Sequence, residues 1–241
     1  MLKNLIKQLV FKYPLAASLY LSAKEMTPVL VRRDSDGDFV VRKPGALLVS
    51  SSPLATLSAD DMAVFEYKYR CTHGNTAVIV GVEDGHELPS YCNACKPGLV
   101  VAIEPTPSCI RRLHKLKHLN RLDNLLIVPV AAGDEDGKFA NLQLHTNPAN
   151  NTANTLHFDH TSSGLPNFIQ VPVQRLDSIL LDLQISSVDY LKINVEGAEV
   201  SVLKGLSSAV NTINNLCISC HDFLDPDLRT YSEVRHILLS H

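Results

Sequence analysis

Two strand-to-helix turns in this sequence carry residue types that suit a nucleoside. An apolar run leads into Gly81-Val-Glu-Asp-Gly85, where two glycines four positions apart allow the backbone to approach a ligand closely. The N–H groups of the next helix would point toward the negatively charged part of that ligand. A second apolar run ends in Glu104-Pro105, and Glu104 lies 19 positions after Gly85. Each turn alone also suits an ordinary tight turn or a solvated acid, but together they predict that Glu104 accepts hydrogen bonds from ribose hydroxyls.

Polar side chains also follow the third and fourth apolar runs. Asp134 ends the string Ala131-Ala-Gly-Asp134, from which it can reach the base of a nucleoside or merely form an acidic turn. The fourth run ends in Asn194 and Glu196, and a buried strand rarely ends in two such groups without a function. We therefore predict that Asn194 and Glu196 are catalytic. Glu199 is either part of the same site or an exposed residue of the next helix.

His221 follows the fifth apolar run and is the best candidate for a general base. A neutral imidazole near pH 7 can accept the proton of a hydroxyl group. If the fifth strand lies beside the fourth, His221 shares one edge of the sheet with Asn194 and Glu196. The same three side chains could ligate a divalent ion, but they include only one carboxylate, and hard cations prefer sites with more oxygen ligands. We therefore predict no metal.

These residues need a parallel sheet to bring them together. Five apolar runs alternate with helix-length stretches, a rhythm typical of a parallel sheet covered by helices on both faces. Ile110, Leu113 and Leu116 recur at helical spacing in one such stretch. The sequence therefore predicts an α/β fold whose strand ends form a ligand-binding edge. The apolar runs are Ala77–Val80, Leu99–Ile103, Leu125–Val130, Tyr190–Val195 and Leu216–Ser219.

A long stretch interrupts this rhythm. Residues 134–176 are rich in Asn, Thr and His and lack helical periodicity. Structureless loops of this length are uncommon unless they serve a function. We predict a hairpin of Phe139–His145 with Ile169–Arg175 around a polar loop, Asn147–Thr155, that faces the substrate.

The first 70 residues differ from the rest. They contain an amphipathic helix up to about Glu25, a strand near Phe39–Arg42 and a helix that begins near Ser58. Lys12 interrupts the apolar stretch at the start of the chain, which favours an amphipathic helix over a secretory signal. The predicted organisation is a small α+β extension, residues 1–70, followed by a ligand-binding domain, residues 71–241.

Composition narrows the class of protein. The chain has 241 residues and 26.5 kDa, with 45% apolar and 20% charged residues, which excludes disordered, collagen-like and coiled-coil proteins. The formal charge is +3 over residues 1–70 and −6 over residues 71–241, which argues against nucleic acid as a partner. No apolar run reaches the roughly 18 residues of a transmembrane helix. The six cysteines indicate reduced thiols in a cytoplasmic protein.

Five strings together resemble the FkbM-type family of S-adenosylmethionine (AdoMet)-dependent methyltransferases. They are VIVGVEDG, VVAIEP, VPVAAGDEDG, VQRLD and VDYLKINVEGAEVSVLKGL, within residues 65–223. The resemblance implies a Rossmann-like class I methyltransferase fold that binds AdoMet. It implies an enzyme that methylates a hydroxyl of a small molecule, sugar or lipid-linked glycan. By motif position, it places Gly81, Glu83, Gly85 and Pro105 around the cofactor, with Glu104 on the ribose and Asp134 near the adenine.

The sequence departs from the family pattern at several positions. Ile79, Asn194 and Ser219 stand where the family usually carries acids, and Val82-Glu83 replaces the usual Ala-Asn. The helix-like segment Tyr231–Ser240 is not followed by the strands that usually complete the sheet. An alternative is therefore a catalytically decayed or truncated methyltransferase-fold protein that acts as a binding protein. A bare sheet edge would also make an oligomer possible.

Three further interpretations use the same residues. Cys217-Ile-Ser-Cys220-His221 matches the spacing of a c-type haem attachment site, but it lies in a predicted buried strand. A zinc site would need to unite Cys92 and Cys95 with those two cysteines from opposite edges of the sheet, so buried core thiols are the simpler explanation. A nicotinamide-dependent dehydrogenase would need a three-glycine fingerprint that this sequence lacks.

Overall fold

Strands and helices alternate along most of the chain. The computed structural model describes residues 10, 12–53, 64–144, 155–157, 167–222 and 229–240. The helices are α1 (Pro14–Glu25), α2 (Leu88–Cys95), α3 (Pro107–Asn120), α4 (Leu176–Asp182), α5 (Glu199–Lys204) and α6 (Tyr231–Leu239). The strands are β1 (Leu30–Arg33), β2 (Phe39–Lys43), β3 (Ala46–Ser50), β4 (Ala77–Val80), β5 (Val100–Ile103), β6 (Leu125–Val128), β7 (Ala131–Gly133), β8 (Lys138–Gln143), β9 (Thr155–His157), β10 (Phe168–Arg175), β11 (Tyr190–Ile193) and β12 (Leu216–Ile218).

A five-stranded parallel sheet forms the centre of the molecule. Its strands lie in the order β12-β11-β4-β5-β6, and every neighbouring pair is parallel. Each of these strands falls within one of the five apolar runs. All residues of β4, β5 and β11 are buried, as expected where helices cover both faces of a parallel sheet. The predicted α/β fold with a mostly parallel sheet is therefore confirmed.

Helices pack on both faces of this sheet. Ala77 and Ile79 of β4 contribute to a core with α2 and α3, whereas Val78 and Val80 contribute to a core with α4, α5 and α6. This alternation follows from the two-residue period of a strand. Cys217 packs against the first core and Cys220 against the second. The two thiols therefore lie on opposite faces, which disfavours a zinc site that would use both.

A second sheet covers one end of the domain. Its order is β7-β10-β8-β9, with β8 and β10 antiparallel. Phe139 lies opposite Pro172, and Leu142 lies opposite Ile169, so the predicted hairpin is present. His145 and most of the predicted polar loop, Asn147–Thr155, lie outside the described residues. The strand β9 begins at the end of that loop and was not predicted.

The N-terminal region forms a helix on a three-stranded antiparallel sheet. The strand predicted near Phe39–Arg42 is β2, and it lies between β1 and β3. Ala17 and Leu21 of α1 pack with strand residues in a separate small core. The helix predicted to begin at Ser58 lies outside the described residues. The α+β extension is thus present, and its division from the rest near residue 70 stays a prediction.

Ion pairs join this extension to α3. The Lys115 ammonium lies 2.6, 2.7 and 2.9 Å from carboxylate oxygens of Asp34, Asp36 and Asp38. Arg111 makes two hydrogen bonds to Asp38, at 2.6 and 3.0 Å. Two cationic side chains of α3, Arg111 and Lys115, are therefore paired within the chain. None of the helices in the described part of the chain is both long and apolar enough to cross a membrane.

Candidate active site

The carboxyl ends of β4, β5 and β11 border a cavity of about 320 Å³. Ligands of open α/β sheets bind at this edge, and the volume is at the lower end of the range for small-molecule sites. Seven of the nine predicted site residues line it: Gly81, Glu83, Gly85, Glu104, Pro105, Asn194 and Glu196. Wall residues that the sequence analysis missed include Phe65, Asp84, His86, Glu87, Thr106 and Lys192.

Both glycines of the first turn are required by packing within the chain. Gly81 has φ +78°, and a Cβ there would lie 2.1 Å from the backbone oxygen of Asn194. Gly85 has φ +68°, and a Cβ there would lie 2.4 Å from Leu113 and 2.7 Å from Leu88. Gly81 therefore lets the ends of β4 and β11 approach each other, and Gly85 lets the turn sit on α2 and α3.

Glu104 is held rigidly at the end of β5. Its Oε2 accepts the backbone N–H of Glu83 at 2.9 Å, and its Oε1 accepts that of Thr106 at 2.9 Å. The residue is only 5% exposed, and burial raises the pKa of its carboxyl. The Thr106 side chain adds a third hydrogen bond to this carboxyl. A carboxylate has about four lone-pair sites, so one remains for a ligand.

A second carboxyl stands beside Glu104. Glu83 adopts a left-handed backbone conformation, φ +52°, at the position where the family pattern has Asn. Burial, with the nearby charges of Asp84 and Glu104, raises the pKa of Glu83 to about 8. At neutral pH this carboxyl is therefore largely protonated and can donate a hydrogen bond.

A buried lysine lies in the opposite wall. The Lys192 ammonium pairs with Glu87 and sits 3.9 Å from the centroid of the Phe65 ring. Lys192 is 2% exposed, and Glu87 is also buried. The sequence signal for this site was a lysine inside an otherwise apolar strand, since a buried lysine requires a partner. The partner itself is 105 positions away and had no sequence signal.

Asp84 joins the glycine turn to two other elements. Its Oδ1 accepts a hydrogen bond from Arg112 Nε of α3 at 2.5 Å, and its Oδ2 accepts one from the Ser50 hydroxyl of β3 at 2.9 Å. All three residues are buried. These two hydrogen bonds of Asp84 fix the turn between β4 and α2, and they thereby hold Gly81 and Glu83 in place at the cavity.

Glu196, His221 and Glu199 form a chain that begins at the cavity. Glu196 lines the cavity, and its Oε1 lies 3.4 Å from His221 Nε2. His221 Nδ1 lies 2.5 Å from Oε1 of Glu199. Glu199 is completely buried, so its interpretation as an exposed helix residue is wrong, whereas Lys204 is exposed and pairs with Glu233. Glu199 therefore belongs to the same cluster as the predicted catalytic residues.

Opposing effects act on the pKa values in this cluster. Burial lowers the pKa of His221, but the hydrogen bond to Glu199 and the charges of Glu196 and Glu199 raise it above its ordinary value. Burial raises the pKa of Glu196, and the charge of His221 partly offsets that rise. Both groups are thereby shifted toward proton binding near neutral pH.

Two predicted residues lie outside the described cavity wall. His221 stands behind Glu196, and Asp134 is at the end of β7, where its backbone oxygen accepts a hydrogen bond from Arg175 at 2.7 Å. Near Asp134 the wall is formed by Val130, Ala131 and Ala132. The roles of His221 and of Asp134 stay predictions.

Within the described part of the chain, one acidic cluster has ligand atoms close enough for a metal ion. Asp34, Asp36 and Asp38 have carboxylate oxygens within 4.8 Å of one another. The Lys115 ammonium already contacts all three. A lysine side chain therefore already occupies the space between the three carboxylates, and none of them lines the cavity.

Comparison with known proteins points to one family. The sequence profile of the Methyltransferase FkbM domain matches residues 80–241. No curated protein matches the sequence significantly. Among solved structures, the chain is similar to the precorrin-6y C5,15-methyltransferase of Geobacter metallireducens GS-15, with 13% identity, 78% of this chain and 74% of that chain covered, and a TM-score of 0.46. It is also similar to a SAM-dependent methyltransferase of Aquifex aeolicus, with 13% identity, 76% and 82% covered, and a TM-score of 0.42.

Proposed function

Because this chain belongs to the FkbM methyltransferase domain family, whose cofactor is AdoMet, we propose that it methylates a hydroxyl group of a small molecule, sugar or lipid-linked glycan. The observation that carries the proposal is the cavity at the strand ends. Glu104 stands on one side of this cavity, and Glu196, backed by His221, stands on the other. A nucleoside-binding acid and a proton-accepting pair thus share one site.

The donor set of the cavity suits AdoMet. The Glu104 carboxylate accepts three hydrogen bonds within the chain and has one of its about four lone-pair sites left for a ribose hydroxyl. The backbone of Gly81 and Gly85 and the carboxyl of Glu83 border the end where the methionine part would lie, and Asp134 remains the candidate neighbour of the adenine. When bound, AdoMet supplies an electrophilic methyl group on a positively charged sulfur.

The chain's own residues can position the acceptor and remove its proton. Asn194 can bind the acceptor hydroxyl, and Glu196 is the acid that meets the cavity. The proton leaves the hydroxyl as its oxygen bonds to carbon, and it passes to Glu196 or onward to Nε2 of His221. Most of the rate enhancement is expected to come from holding the reacting atoms in line.

Ile79, which replaces an acid of the family pattern, does not by itself argue against activity. It is buried beside α2 and α3, and its cross-strand neighbour is Lys192. The Lys192 ammonium already pairs with Glu87. We infer that Glu87 supplies the carboxylate that an acid at position 79 would place next to this lysine.

Titration calorimetry with AdoMet and S-adenosylhomocysteine tests the proposal. We expect micromolar binding that Glu104→Gln weakens at least about tenfold, because a hydrogen bond to a charged group contributes about 1.5–3 kcal/mol. Glu135→Gln is the matched control, since Glu135 is exposed and pairs with Lys138. No binding by the folded chain would overturn the proposal and favour the alternative of a binding protein on a decayed methyltransferase fold.

The methylated atom needs a second measurement. Incubation with methyl-labelled AdoMet and a panel of polyols, sugars and lipid-linked glycans should give a labelled product. An O-methyl ether of a hydroxyl resists mild alkali, whereas a methyl ester releases its label as methanol. Labelled esters alone would contradict hydroxyl methylation while leaving AdoMet binding intact.

A further inference from the structure

Glu199 is a buried carboxylate whose position no packing requirement explains. It is the first residue of α5 and is 0% exposed. Its Oε1 contacts Nδ1 of His221 at 2.5 Å and accepts the backbone N–H of Gly197 at 3.3 Å. Its Oε2 is buried without a hydrogen-bond partner among the described residues. Burial of a charge is costly unless it is paired, so the imidazole is its main compensation.

This contact decides which nitrogen of His221 carries a proton. An ionised carboxylate only accepts hydrogen bonds, so an ionised Glu199 takes its hydrogen bond from Nδ1–H. Nε2 is then the nitrogen that carries no proton in the neutral ring. It faces Oε1 of Glu196 at 3.4 Å, and Glu196 lines the cavity. The lone pair is therefore directed along the path that leads to the cavity.

We propose that Glu199 is a positioning residue that holds His221 as the Nδ1–H tautomer, with Nε2 ready to receive the acceptor's proton by way of Glu196. The inference rests on the proposed function. In the balanced step, the acceptor O–H bond breaks as its oxygen bonds to the methyl carbon, and the methyl–sulfur electron pair stays on sulfur. The acceptor's proton moves to the Glu196 carboxylate and from there to Nε2 of His221, while Nδ1–H stays on the ring, hydrogen-bonded to Glu199.

A purely structural role would leave a different signature. If Glu199 only tied α5 to the segment after β12, any group that fills the same space and hydrogen bonds to His221 would serve. If it selects the tautomer, loss of its charge matters even where the fold is retained. Glu199→Gln separates the two roles, because an amide can donate to Nδ1 as well as accept from it.

Long-range ¹H–¹⁵N correlation spectra of the histidine side chains test the tautomer without any ligand. His221→Gln identifies the His221 signals by their loss. In the unmodified chain we expect a neutral Nδ1–H ring at high pH and protonation of Nε2 as the pH falls. A neutral Nε2–H ring would overturn the proposal. This measurement stands alone if Glu199→Gln does not fold.

In folded Glu199→Gln we expect the Nε2–H tautomer of His221 to become populated. Glu233→Gln is the control, because it removes an exposed acid of α6 and should leave the His221 spectrum unchanged. An unchanged Nδ1–H tautomer in Glu199→Gln would contradict the proposal.

AdoMet titration of the same variants should give unaltered affinity. Loss of AdoMet binding by the unmodified chain would instead refute the proposed function, so the two failures are distinguishable. With an acceptor in hand, we expect kcat to fall about 100-fold without a matching rise in KM.

Discussion

Arg112 donates from Nε to Oδ1 of Asp84 across 2.5 Å, and both side chains are almost completely buried, with 4% and 3% exposed. This pair links α3 to the turn that follows β4. The Ser50 hydroxyl of β3 reaches the second oxygen of Asp84 at 2.9 Å. One carboxylate thus joins the N-terminal sheet, the glycine turn and α3, and it fixes the wall of the cavity from behind.

Removal of one partner of this pair should strongly destabilise the fold. In Asp84→Asn, the Arg112 guanidinium keeps its charge in a buried site, so we expect a loss of about 3–5 kcal/mol in the free energy of unfolding. Urea denaturation followed by circular dichroism measures it. Lys204→Ala removes an exposed ion pair with Glu233 and should cost no more than about 1 kcal/mol. Equal losses in the two variants would contradict the structural role of Asp84.

The Lys192–Glu87 pair gives a prediction about coupling. Glu87→Gln leaves a buried ammonium unpaired and should cost about 3–5 kcal/mol, whereas Lys192→Met together with Glu87→Gln should cost less than the sum of the single changes. A double-mutant cycle by urea denaturation measures the coupling. Additive effects would mean that the two side chains do not stabilise each other.

The central sheet could be predicted from the sequence because each of its strands is marked by a local pattern of apolar residues. The four residues of β4, of β5 and of β11 are all buried, and such short apolar runs between helix-length stretches identify a parallel sheet. The residues at the strand ends are then fixed by topology. Glu104 and Glu196 could therefore be assigned to one edge before any coordinate was known.

Other features depend on contacts between distant residues. Glu87 and Lys192 are 105 positions apart, and Asp84 and Ser50 are 34 apart, so no spacing rule links them. Glu199 stands in the first turn of a helix, where an acid is favourable both in solvent and in a buried pair. Only the packing of the segment after β12 against α5 distinguishes the two. The pairs that Arg111 and Lys115 of α3 form with acids of the β1–β2 turn had no sequence signal for the same reason.

Glu83 should make stability depend on pH. Its pKa in the folded chain is raised to about 8, so its contribution to stability is present below the ordinary glutamate pKa and is lost as the pH rises toward 8. A shift of this size corresponds to at most about 5 kcal/mol, and solvent in the open cavity reduces it, so we expect about 1–2 kcal/mol. Glu83→Gln should therefore be more stable than the unmodified chain at pH 9.

Urea denaturation at pH 5 and pH 9 provides the comparison for Glu83. The unmodified chain should lose stability between these values, and the loss should be smaller in Glu83→Gln. Glu135→Gln, which changes an exposed acid, should behave as the unmodified chain does. An identical pH profile for Glu83→Gln would show that this carboxyl is ionised in the folded chain at neutral pH.

His221 should show a pH dependence that is set by its two neighbouring acids. The charges of Glu196 and Glu199 face the ring and raise its pKa above the ordinary value despite burial. The stabilisation is therefore fully present below about pH 6.5 and is lost as the pH rises through the higher pKa of the folded chain. His221→Gln should therefore cost more free energy of unfolding at pH 6 than at pH 9. His114→Gln, which alters an exposed residue of α3, should cost the same small amount at both values. A larger cost for His221→Gln at pH 9 would mean that the pKa of the ring is lowered, and not raised, in the folded chain.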